Sequence, residues 1–298
     1  MNKTFKLWAE KDIIFLKENY NLMSISEIAL KMGRTEYSIT KKASDLKMSH
    51  QPYNKKYMSE KSRKYTLEHS FFDSINTNDK AYFLGLLYAD GYNCTDKNVL
   101  ELSLQTRDKE ILSLFKKCLA SNRPIKRYVD KRPKRGTDRS ILYVNSRRIC
   151  QNLDSLGCTN KKSHKISFPT IKERFKKHFI RGFFDGDGSV YISKGKIING
   201  YVKRSPTGHV AFSSNKKFIE GLFKQLKKFN PCKVRDKRKK DTWYLNITGI
   251  AAIQFLESIY FGTTTYIKRK YKKYQEVKKM YSSKKVKRRY YVNMLVSY

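Results

Sequence analysis

The sequence lacks the features that would direct the chain out of the cell or into a membrane. Its N-terminus has no apolar segment of the kind found in signal peptides, and no apolar run approaches the roughly 20 residues of a membrane-spanning helix. The cysteines are few, odd in number and never arranged as CxxC, which is typical of reduced thiols rather than of disulfides or zinc sites. We therefore expect a protein of the cytoplasm or an organellar matrix that is not secreted.

Acidic residues are also scarce. The 298-residue chain has 26 Asp+Glu against 65 Lys+Arg, which gives a formal net charge of +39. Such an excess indicates a polyanionic partner, and nucleic acid is the obvious one. An anionic membrane surface is the alternative, but it would require a basic amphipathic helix or a lipid anchor, and no lipidation motif is present. The 21 Tyr, 17 Phe and 39% hydrophobic content argue against disorder.

Two segments, 81–93 and 178–190, share one pattern: an apolar helix closes on an Asp-Gly pair and is followed by a strand. Small residues recur four apart in each segment, Gly85 with Ala89 and Gly182 with Gly186. This spacing places them on one face of each predicted helix, where the missing side chains allow a second helix to approach closely. We therefore predict that these four residues form a helix–helix interface.

The acids of the two patterns, Asp90 and Asp187, are the last residues of the predicted helices, and glycines that end helices follow them. A carboxylate at a helix C-terminus faces the negative end of the helix dipole, so we expect a cation to compensate. If the two bare faces pack together, the carboxylates arrive side by side and suit a divalent metal. The predicted metal site comprises Asp90, Asp187, Gly91 and Gly188. Taken singly, each segment could be an ordinary amphipathic helix with a glycine cap.

The segments GLLYADG and GFFDGDG resemble the two copies of the LAGLIDADG (dodecapeptide) signature of homing endonucleases. The terminal acidic position of the signature falls on Asp90 and Asp187, and its earlier, variable position falls on Tyr88 and Asp185. The resemblance implies a site-specific endonuclease that cuts both strands of DNA with Mg²⁺ or Mn²⁺ held by the two terminal acids. Because Tyr88 occupies the earlier position in the first copy, we expect Asp185 to be dispensable for cleavage.

From residue 77 the chain repeats itself. Alternating strands and amphipathic helices follow each signature in the same order, so that each copy reads α-β-β-α-β-β-α. The predicted fold class is α+β, with two pseudo-symmetric αββαββα units, 77–160 and 161–279. The resemblance implies that the two sheets form a DNA-binding saddle in one chain, so we expect a monomer that is a pseudo-dimer.

Residues 1–48 predict an additional, small all-α domain. Ser24 and Glu27 have the spacing of a capping box, Gly33 fits a turn, and Thr35 fits the start of a third helix. The pattern resembles a helix-turn-helix of the Myb or homeodomain-like kind, whose third helix enters the major groove. A generic three-helix bundle for protein contact is the alternative. The outward residues of the third helix, which we predict to bind DNA, are Tyr37, Ser38, Lys41 and Lys42.

The remaining segments are basic. Residues 49–76 read as a linker, which either follows a phosphate backbone or is a solvated spacer, and residues 280–298 read as a tail. Basic stretches also follow the second helix of each unit and cross between the units. The predicted DNA-binding residues in these stretches are Arg127, Lys131, Arg132, Lys134, Arg135, Lys161, Lys162, Lys165, Arg235, Lys237, Arg238, Lys239 and Lys240.

The family often places a Gln or a Lys at the end of the second strand of each unit. Gln105 occupies this place in the first unit and Ser213 in the second, so both join Asp90 and Asp187 in the predicted catalytic set. Because Ser213 departs from the family pattern, we expect one DNA strand to be cut faster than the other. Two further functions remain open: a DNA-binding regulator without catalysis, and a maturase that binds intron RNA.

Overall fold

The computed structural model describes residues 7–48, 64–129, 138–160, 165–198, 201–236 and 241–282. The chain divides into two compact units, Met1–Tyr65 and Thr66–Tyr298. Among the described residues, no helix combines the length and the apolar character needed to cross a membrane.

The first unit contains three short helices: α1 (Glu10–Asn19), α2 (Ile25–Met32) and α3 (Glu36–Asp45). The predicted capping box at the start of α2 is confirmed, because the Ser24 hydroxyl accepts from the Glu27 N–H while the Glu27 carboxylate accepts from the Ser24 N–H. Gly33 ends α2 in the left-handed region at φ 59°, which favours glycine. The core of this unit consists of Leu16, Tyr20, Ile28, Ala29, Ile39 and Ala43.

The second unit begins with one αββαββα half. Its elements are α4 (Asn78–Asp90), β1 (Gly91–Cys94), β2 (Val99–Gln105), α5 (Lys109–Cys118), β3 (Lys126–Tyr128), β4 (Arg139–Asn145) and α6 (Arg147–Ser155). The strands form an antiparallel sheet in the order β1-β2-β4-β3.

The second half repeats this architecture. Its elements are α7 (Glu173–Asp187), β5 (Ser189–Ser193), β6 (Lys196–Ile198), β7 (Tyr201–Arg204), β8 (Thr207–Ser214), α8 (Lys216–Leu226), β9 (Cys232–Arg235), β10 (Trp243–Thr248), α9 (Ile250–Tyr260) and α10 (Lys268–Ser282). The main sheet has the order β5-β8-β10-β9, which matches the first sheet, and β6 with β7 forms an added hairpin. The predicted α+β fold with two αββαββα units is confirmed, and the sequence did not predict the hairpin.

Buried positions alternate with less buried ones along the central strands of both sheets. In β2, Leu100, Leu102 and Leu104 are buried while the residues between them are half-buried. The buried face of each sheet packs against helices, and a single continuous core joins both halves. The other face of each strand is available to a partner, as expected for an antiparallel sheet with one covered face.

Two predicted boundaries need correction. Residues 66–76 are not linker, because Phe71, Phe72 and Ile75 are buried and the Thr66 side chain donates to the carbonyl oxygen of Ala120 at 2.9 Å. These apolar residues give the segment a place in the core of the first half. At the other end, α10 continues to Ser282, beyond the predicted start of the tail at residue 280.

Candidate functional site

Helices α4 and α7 pack against each other with their backbones in contact. A Cβ added at Gly85 would lie 2.0 Å from the carbonyl oxygen of Phe179, and one added at Gly182 would lie 1.9 Å from the carbonyl oxygen of Tyr82. These neighbours are backbone atoms, which cannot move aside as a flexible side chain could. The closeness of the two helices therefore depends on the absence of side chains at Gly85 and Gly182.

The same packing brings the two acids to one end of the helix pair. A Cβ added at Gly186 would lie 2.2 Å from the Cβ of Ala89 and 2.8 Å from Oδ2 of Asp90. The carboxylate of Asp90 therefore lies against the residue that directly precedes Asp187. Asp90 is half-buried and Asp187 is exposed, so solvent reaches the end of the pair where both acids stand.

The glycines that follow the acids have a different role from the one predicted. Gly91 has φ −80° and Gly188 has φ −71°, so neither adopts the left-handed conformation of a helix-ending glycine. A Cβ at Gly91 would instead lie 2.7 Å from the carbonyl oxygen of Leu87, and one at Gly188 would lie 2.2 Å from Cδ2 of Phe184. The strands leave so close to the last helical turn that no side chain fits at these two positions.

The structure adds Lys270 of α10 to the site. Its Nζ donates to the carbonyl oxygens of Phe184 at 2.5 Å, Gly186 at 3.0 Å and Gly188 at 2.5 Å. An ammonium has three protons, and these three carbonyls use all of them. Lys270, only 5% exposed, thus places a positive charge at the C-terminal end of α7. It supplies part of the cationic compensation that the sequence led us to expect from a metal.

One signal in the sequence could have identified Lys270. Tyr274, Val277 and Tyr281 are the buried residues that follow it on α10. Together the four positions form one helical stripe, and Lys270 occupies its first place. A lysine in an otherwise apolar stripe indicates a buried, partnered cation.

The titration of Lys270 gives a testable pH dependence. Burial lowers its pKa from 10.5 to about 8, although Asp185, Asp90 and Asp187 favour its charged form. Between these two pKa values the unfolded chain binds more protons than the folded protein, so Lys270 makes stability rise with pH in that range, by up to about 1.4 kcal/mol per pH unit.

We expect Lys270→Met, which keeps the apolar stem, to lack this dependence. Urea denaturation of both proteins between about pH 8 and pH 9.5 measures how the free energy of unfolding changes with pH. The upper limit is chosen because tyrosines of the unfolded chain ionise above it. As the pH rises, the free energy of unfolding of the wild type should increase relative to that of Lys270→Met. A difference that is the same at every pH would contradict the role assigned to Lys270.

Asp185 is fully buried and joins three parts of the fold. Its carboxylate accepts from the Tyr82 hydroxyl at 2.9 Å, the Tyr260 hydroxyl at 2.6 Å and the Ile267 N–H at 2.9 Å. Burial raises the pKa of this carboxyl, although all of these donors favour its charged form. Asp185 therefore holds α4, α9 and the start of α10 to α7, and its dispensability for cleavage stays a prediction.

Tyr88, which occupies the same position in the first half, has a comparable role. Its hydroxyl donates to the carbonyl oxygen of Leu156 at 2.5 Å, and its side chain is 1% exposed. In both halves, the residue two places before the terminal acid thus anchors the segment that follows the third helix of that half, α6 in the first half and α9 in the second. This explains how an acid and a tyrosine can occupy equivalent positions.

Gln105 and Ser213 do not occupy equivalent positions on the two sheets. In the first sheet, the glycine after the terminal acid pairs with Leu102. In the second sheet Ser189 pairs with Ala211, so the preceding Gly188, which follows Asp187, stands opposite Phe212. Leu102 and Phe212 are therefore equivalent, and Ser213 corresponds to Ser103. The sequence alignment was shifted because β2 and α5 are separated by an additional 3₁₀ turn.

The second-half equivalent of Gln105 is Asn215, which has a structural role. It is 3% exposed and caps α8, because its Oδ1 accepts from the Phe218 N–H at 2.9 Å. Its Nδ2 donates to the carbonyl oxygen of Ile166 at 3.0 Å. The half-buried Gln105 thus has no counterpart available for chemistry in the second half.

Of the cations predicted to bind DNA, Arg127 and Arg235 lie on the helix side of their sheets. Arg127 stands opposite the buried Ser140 in the register and forms an ion pair with Asp138. Arg235 stands opposite Trp243, which packs against the core. Strand register therefore places both arginines off the uncovered face, and their binding to DNA stays a prediction.

Most of the other predicted cations lie outside the described residues. Lys165 is exposed and precedes α7. Those that lie outside the described residues are Lys131, Arg132, Lys134, Arg135, Lys161, Lys162, Lys237, Arg238, Lys239 and Lys240.

In the first unit, the predicted residues of α3 differ in their exposure. Tyr37 is 76% exposed and Lys41 is also exposed, four residues later on the same face. Ser38 and Lys42 are half-buried, and the Lys42 ammonium lies 5.8 Å from the centre of the Trp8 ring. Tyr37 and Lys41 are therefore better placed to reach a partner than Ser38 and Lys42.

Comparison with known proteins supports a family for the second half. Residues 174–260, from the start of α7 to the end of α9, match the family model of a LAGLIDADG-like domain. The second half therefore carries a LAGLIDADG-like domain, and the resemblance predicted from the signature is confirmed there. The first half repeats the same order of elements and the same strand order.

The other similarities are more limited. The chain is 27% identical over 195 residues to a probable translation initiation factor IF-2 from Methanocaldococcus jannaschii, a match that covers 61% of this chain and 15% of that protein. The chain thus spans about 15% of the length of the curated relative, and the activity of that protein is not transferred to it.

Two solved structures have weak similarity to the fold. The meganuclease I-SmaMI bound to uncleaveable DNA has a TM-score of 0.46 and 12% identity, covering 66% of this chain and 88% of that one. The I-LtrWI LAGLIDADG homing endonuclease bound to target DNA has a TM-score of 0.46 and 13% identity, covering 74% of this chain and 96% of that one. Similarities at this level carry no argument about function, which rests on the family match and the site geometry.

Proposed function

We propose that this chain is a site-specific DNA endonuclease that cuts both strands of a duplex. The observation that carries the proposal is the convergence of Asp90 and Asp187 at the end of two helices whose backbones touch. A regulator that only binds DNA would have no use for two acids beside a phosphate backbone. The net charge of +39 supplies the attraction to DNA that these two acids oppose.

The donor set fits a metal ion that is shared with the substrate. Mg²⁺ is usually held by one or two carboxylates together with substrate phosphates, rather than by a cage made of protein alone. Within the described ranges, no group of three or more His, Cys, Asp or Glu could hold a metal ion. Asp90 and Asp187 would hold Mg²⁺ or Mn²⁺, which supplies an activated water and stabilises charge on the phosphates.

Other residues of the chain position the site. Lys270 binds the carbonyl oxygens of Gly186 and Gly188, the two neighbours of Asp187. The docking of α10 therefore fixes the backbone that carries the Asp187 side chain. The uncovered sheet faces carry polar residues that suit direct readout in the major groove. Because both halves belong to one chain, we propose that a monomer acts on its target, in the cytoplasm or in an organellar matrix.

Digestion of random DNA tests the proposal. A library of duplexes with a random core is incubated with the protein and magnesium, and the new ends are sequenced. Recurrent ends that share one flanking sequence are expected. Ends spread over unrelated sequences would contradict site specificity, and an absence of new ends would contradict the endonuclease activity itself.

Binding should depend steeply on salt. If the protein neutralises on the order of 6–10 phosphates, its affinity should fall by about three to five decades between 50 and 200 mM salt. A filter-binding titration with a duplex that carries the recurrent cut site measures this slope. A nearly flat dependence would argue against a long footprint on a duplex.

The first unit should add affinity but no chemistry. A protein shortened to begin at Thr66 keeps the whole second unit, whose core is separate from that of the first. We expect it to cleave the same site with weaker binding or with a shorter protected footprint. If the shortened protein folds and binds but no longer nicks DNA, the catalytic centre has been assigned to the wrong unit.

A further inference from the structure

The first turn of α10 contacts both halves of the second unit. Lys270 donates to the carbonyl oxygens on either side of Asp187 in the second half. Arg269, the residue before it, donates from Nε to Oδ2 of Asp108 in the first half at 2.8 Å. Two consecutive residues of one helix thus hold the backbone around the acid of one half and a turn of the other half.

The turn that Arg269 holds follows directly after the end of β2. Asp108 is the last residue of the 3₁₀ turn Thr106–Asp108, and Gln105, the last residue of β2, precedes that turn. The side chain of Asp108 is 6% exposed, whereas that of Arg269 is 38% exposed. Because a buried carboxylate needs a partner for its charge, the ion pair with Arg269 fixes the position of this turn.

Gln105 lies on the same side of the sheet end as the acid of its own half. Gly91 stands opposite Leu102 in the antiparallel pair of β1 and β2, so β2 continues from Leu102 in the direction of Asp90. Gln105 is reached three residues later, about 10 Å along the strand. It has the phase of the half-buried residues of β2, which form the uncovered face. Its amide can therefore donate to a phosphate that approaches the acids.

A comparable contact holds the end of the central strand in the second half, but it uses a different residue. Nδ2 of Asn215, the second-half counterpart of Gln105, donates to the carbonyl oxygen of Ile166, which precedes α7. In the first half, Asp108 makes the corresponding contact, so the Gln105 side chain is not needed for it. The two strand ends are therefore held alike, but the amide remains available to a substrate only in the first half.

We propose that Arg269 is a positioning residue that acts through Gln105 and serves the cut of one DNA strand. Arg269 binds Asp108, fixes the turn that follows Gln105, and so directs the Gln105 amide toward the phosphate. The other cut does not depend on this contact, because Asn215 is buried in a helix cap in the second half. This inference rests on the proposed function, because it concerns a step of the same cleavage.

A second ion pair in the same helical turn provides a matched control. Nζ of Lys268 lies 2.6 Å from Oε2 of Glu110 on α5, and the two side chains are 75% and 68% exposed. This pair also joins the two halves, but ion pairs with such exposure contribute little to stability. Lys268→Met should therefore leave both cuts at the rate of the wild type, although it also removes a cation from α10.

A double-mutant cycle on the full chain tests the inference. Single-turnover rates in magnesium are measured for each strand of a duplex that carries the recurrent cut site, with the wild type, Arg269→Met, Gln105→Ala and the double variant. Each single change should slow the same strand on the order of 10- to 100-fold, since a displacement of about 1 Å can cost about 100-fold. The double variant should be no slower than Gln105→Ala, because a positioning residue has no effect once the side chain that it positions is absent.

Further measurements separate positioning from a loss of the fold. Arg269→Lys retains a cation that can pair with Asp108, so it should cut the affected strand faster than Arg269→Met, and it replaces Arg269→Met in the cycle if that variant does not fold. Urea denaturation shows which variants are folded under the conditions of the assay. Gel shifts in calcium should give the affinity of the wild type for every folded variant, because the inference concerns the rate of cutting and not binding.

The outcomes separate this inference from the proposed function. Rate losses that multiply in the double variant, or that affect both strands equally, would overturn the inference while leaving the endonuclease intact. An equal loss in Lys268→Met would do the same, because it would show that any cation of this turn suffices. A wild-type protein that cuts neither strand would overturn the proposed function together with the inference.

Discussion

Replacing either Asp90 or Asp187 by Asn is expected to abolish cleavage of both DNA strands while DNA binding persists. The substitution keeps the size of the side chain and removes the charge that would hold the metal. Loss of a single group that stabilises transition-state charge slows reactions by about 100- to 1000-fold, and loss of a shared ion should exceed that. Binding should not weaken, because in the absence of metal the acids repel phosphates.

Strand-specific cleavage assays and gel shifts in calcium measure the two effects. Asp154→Asn is the control, because Asp154 is an exposed acid near the C-terminal end of α6 and distant in sequence from both signatures. It should cut at the rate of the wild type. Asp185→Asn should instead lower stability, since it weakens a buried acceptor with three donors. Normal cleavage by an Asp187→Asn protein would contradict the assignment of the acids.

The second large effect concerns stability. Gly182→Ala is expected to lower the free energy of unfolding by about 3 kcal/mol or more, at the upper end of overpacking effects. In an exposed helix the same change would raise stability by about 1 kcal/mol, since alanine is the better helix former. The sign reverses because the new methyl would lie 1.9 Å from the carbonyl oxygen of Tyr82, and α4 and α7 would have to separate.

The midpoint of urea denaturation measures this effect. Ser113→Ala, on the exposed side of α5, is the control and should change stability by no more than about 0.5 kcal/mol. Any folded fraction of Gly182→Ala should also cleave slowly, because a shift of about 1 Å between catalytic groups can reduce the rate about 100-fold. A Gly182→Ala protein as stable as the wild type would show that the helices are not packed as described.

The sequence predicts the architecture of the second unit because its signals are local. The alternation in β2 and the small residues of the two signatures are read from neighbouring residues, and the repeat shows the same local patterns twice. The added hairpin of β6 and β7 escaped prediction because the first half offers no counterpart. The boundary at residue 66 escaped because Phe71 and Phe72 stand in a polar neighbourhood and gain their core only through long-range contacts.

The site could be predicted only in part, because some of its contacts join residues that are distant in the sequence. The pairing of Asp90 with Asp187 follows from helix faces, which a sequence displays. The role of Lys270 depends on the docking of α10 against the end of α7, 82 to 86 residues away in sequence. The equivalence of Ser213 with Ser103, rather than with Gln105, depends on strand register, which the order of apolar residues along the chain does not determine. Long-range register and docking are set by tertiary contacts and not by local pattern.

The central claim is that the two acids form one centre that acts on both strands at the middle of the bound duplex. The test that addresses this most directly uses a duplex that carries the recurrent cut site and is labelled separately on each strand. Its cleavage positions are compared with the protected footprint on the same duplex. We expect one cut per strand, at fixed positions a few base pairs apart in the middle of the footprint, with both cuts lost in Asp90→Asn and in Asp187→Asn. Cuts outside the footprint, at variable positions, or retained in either variant would contradict it.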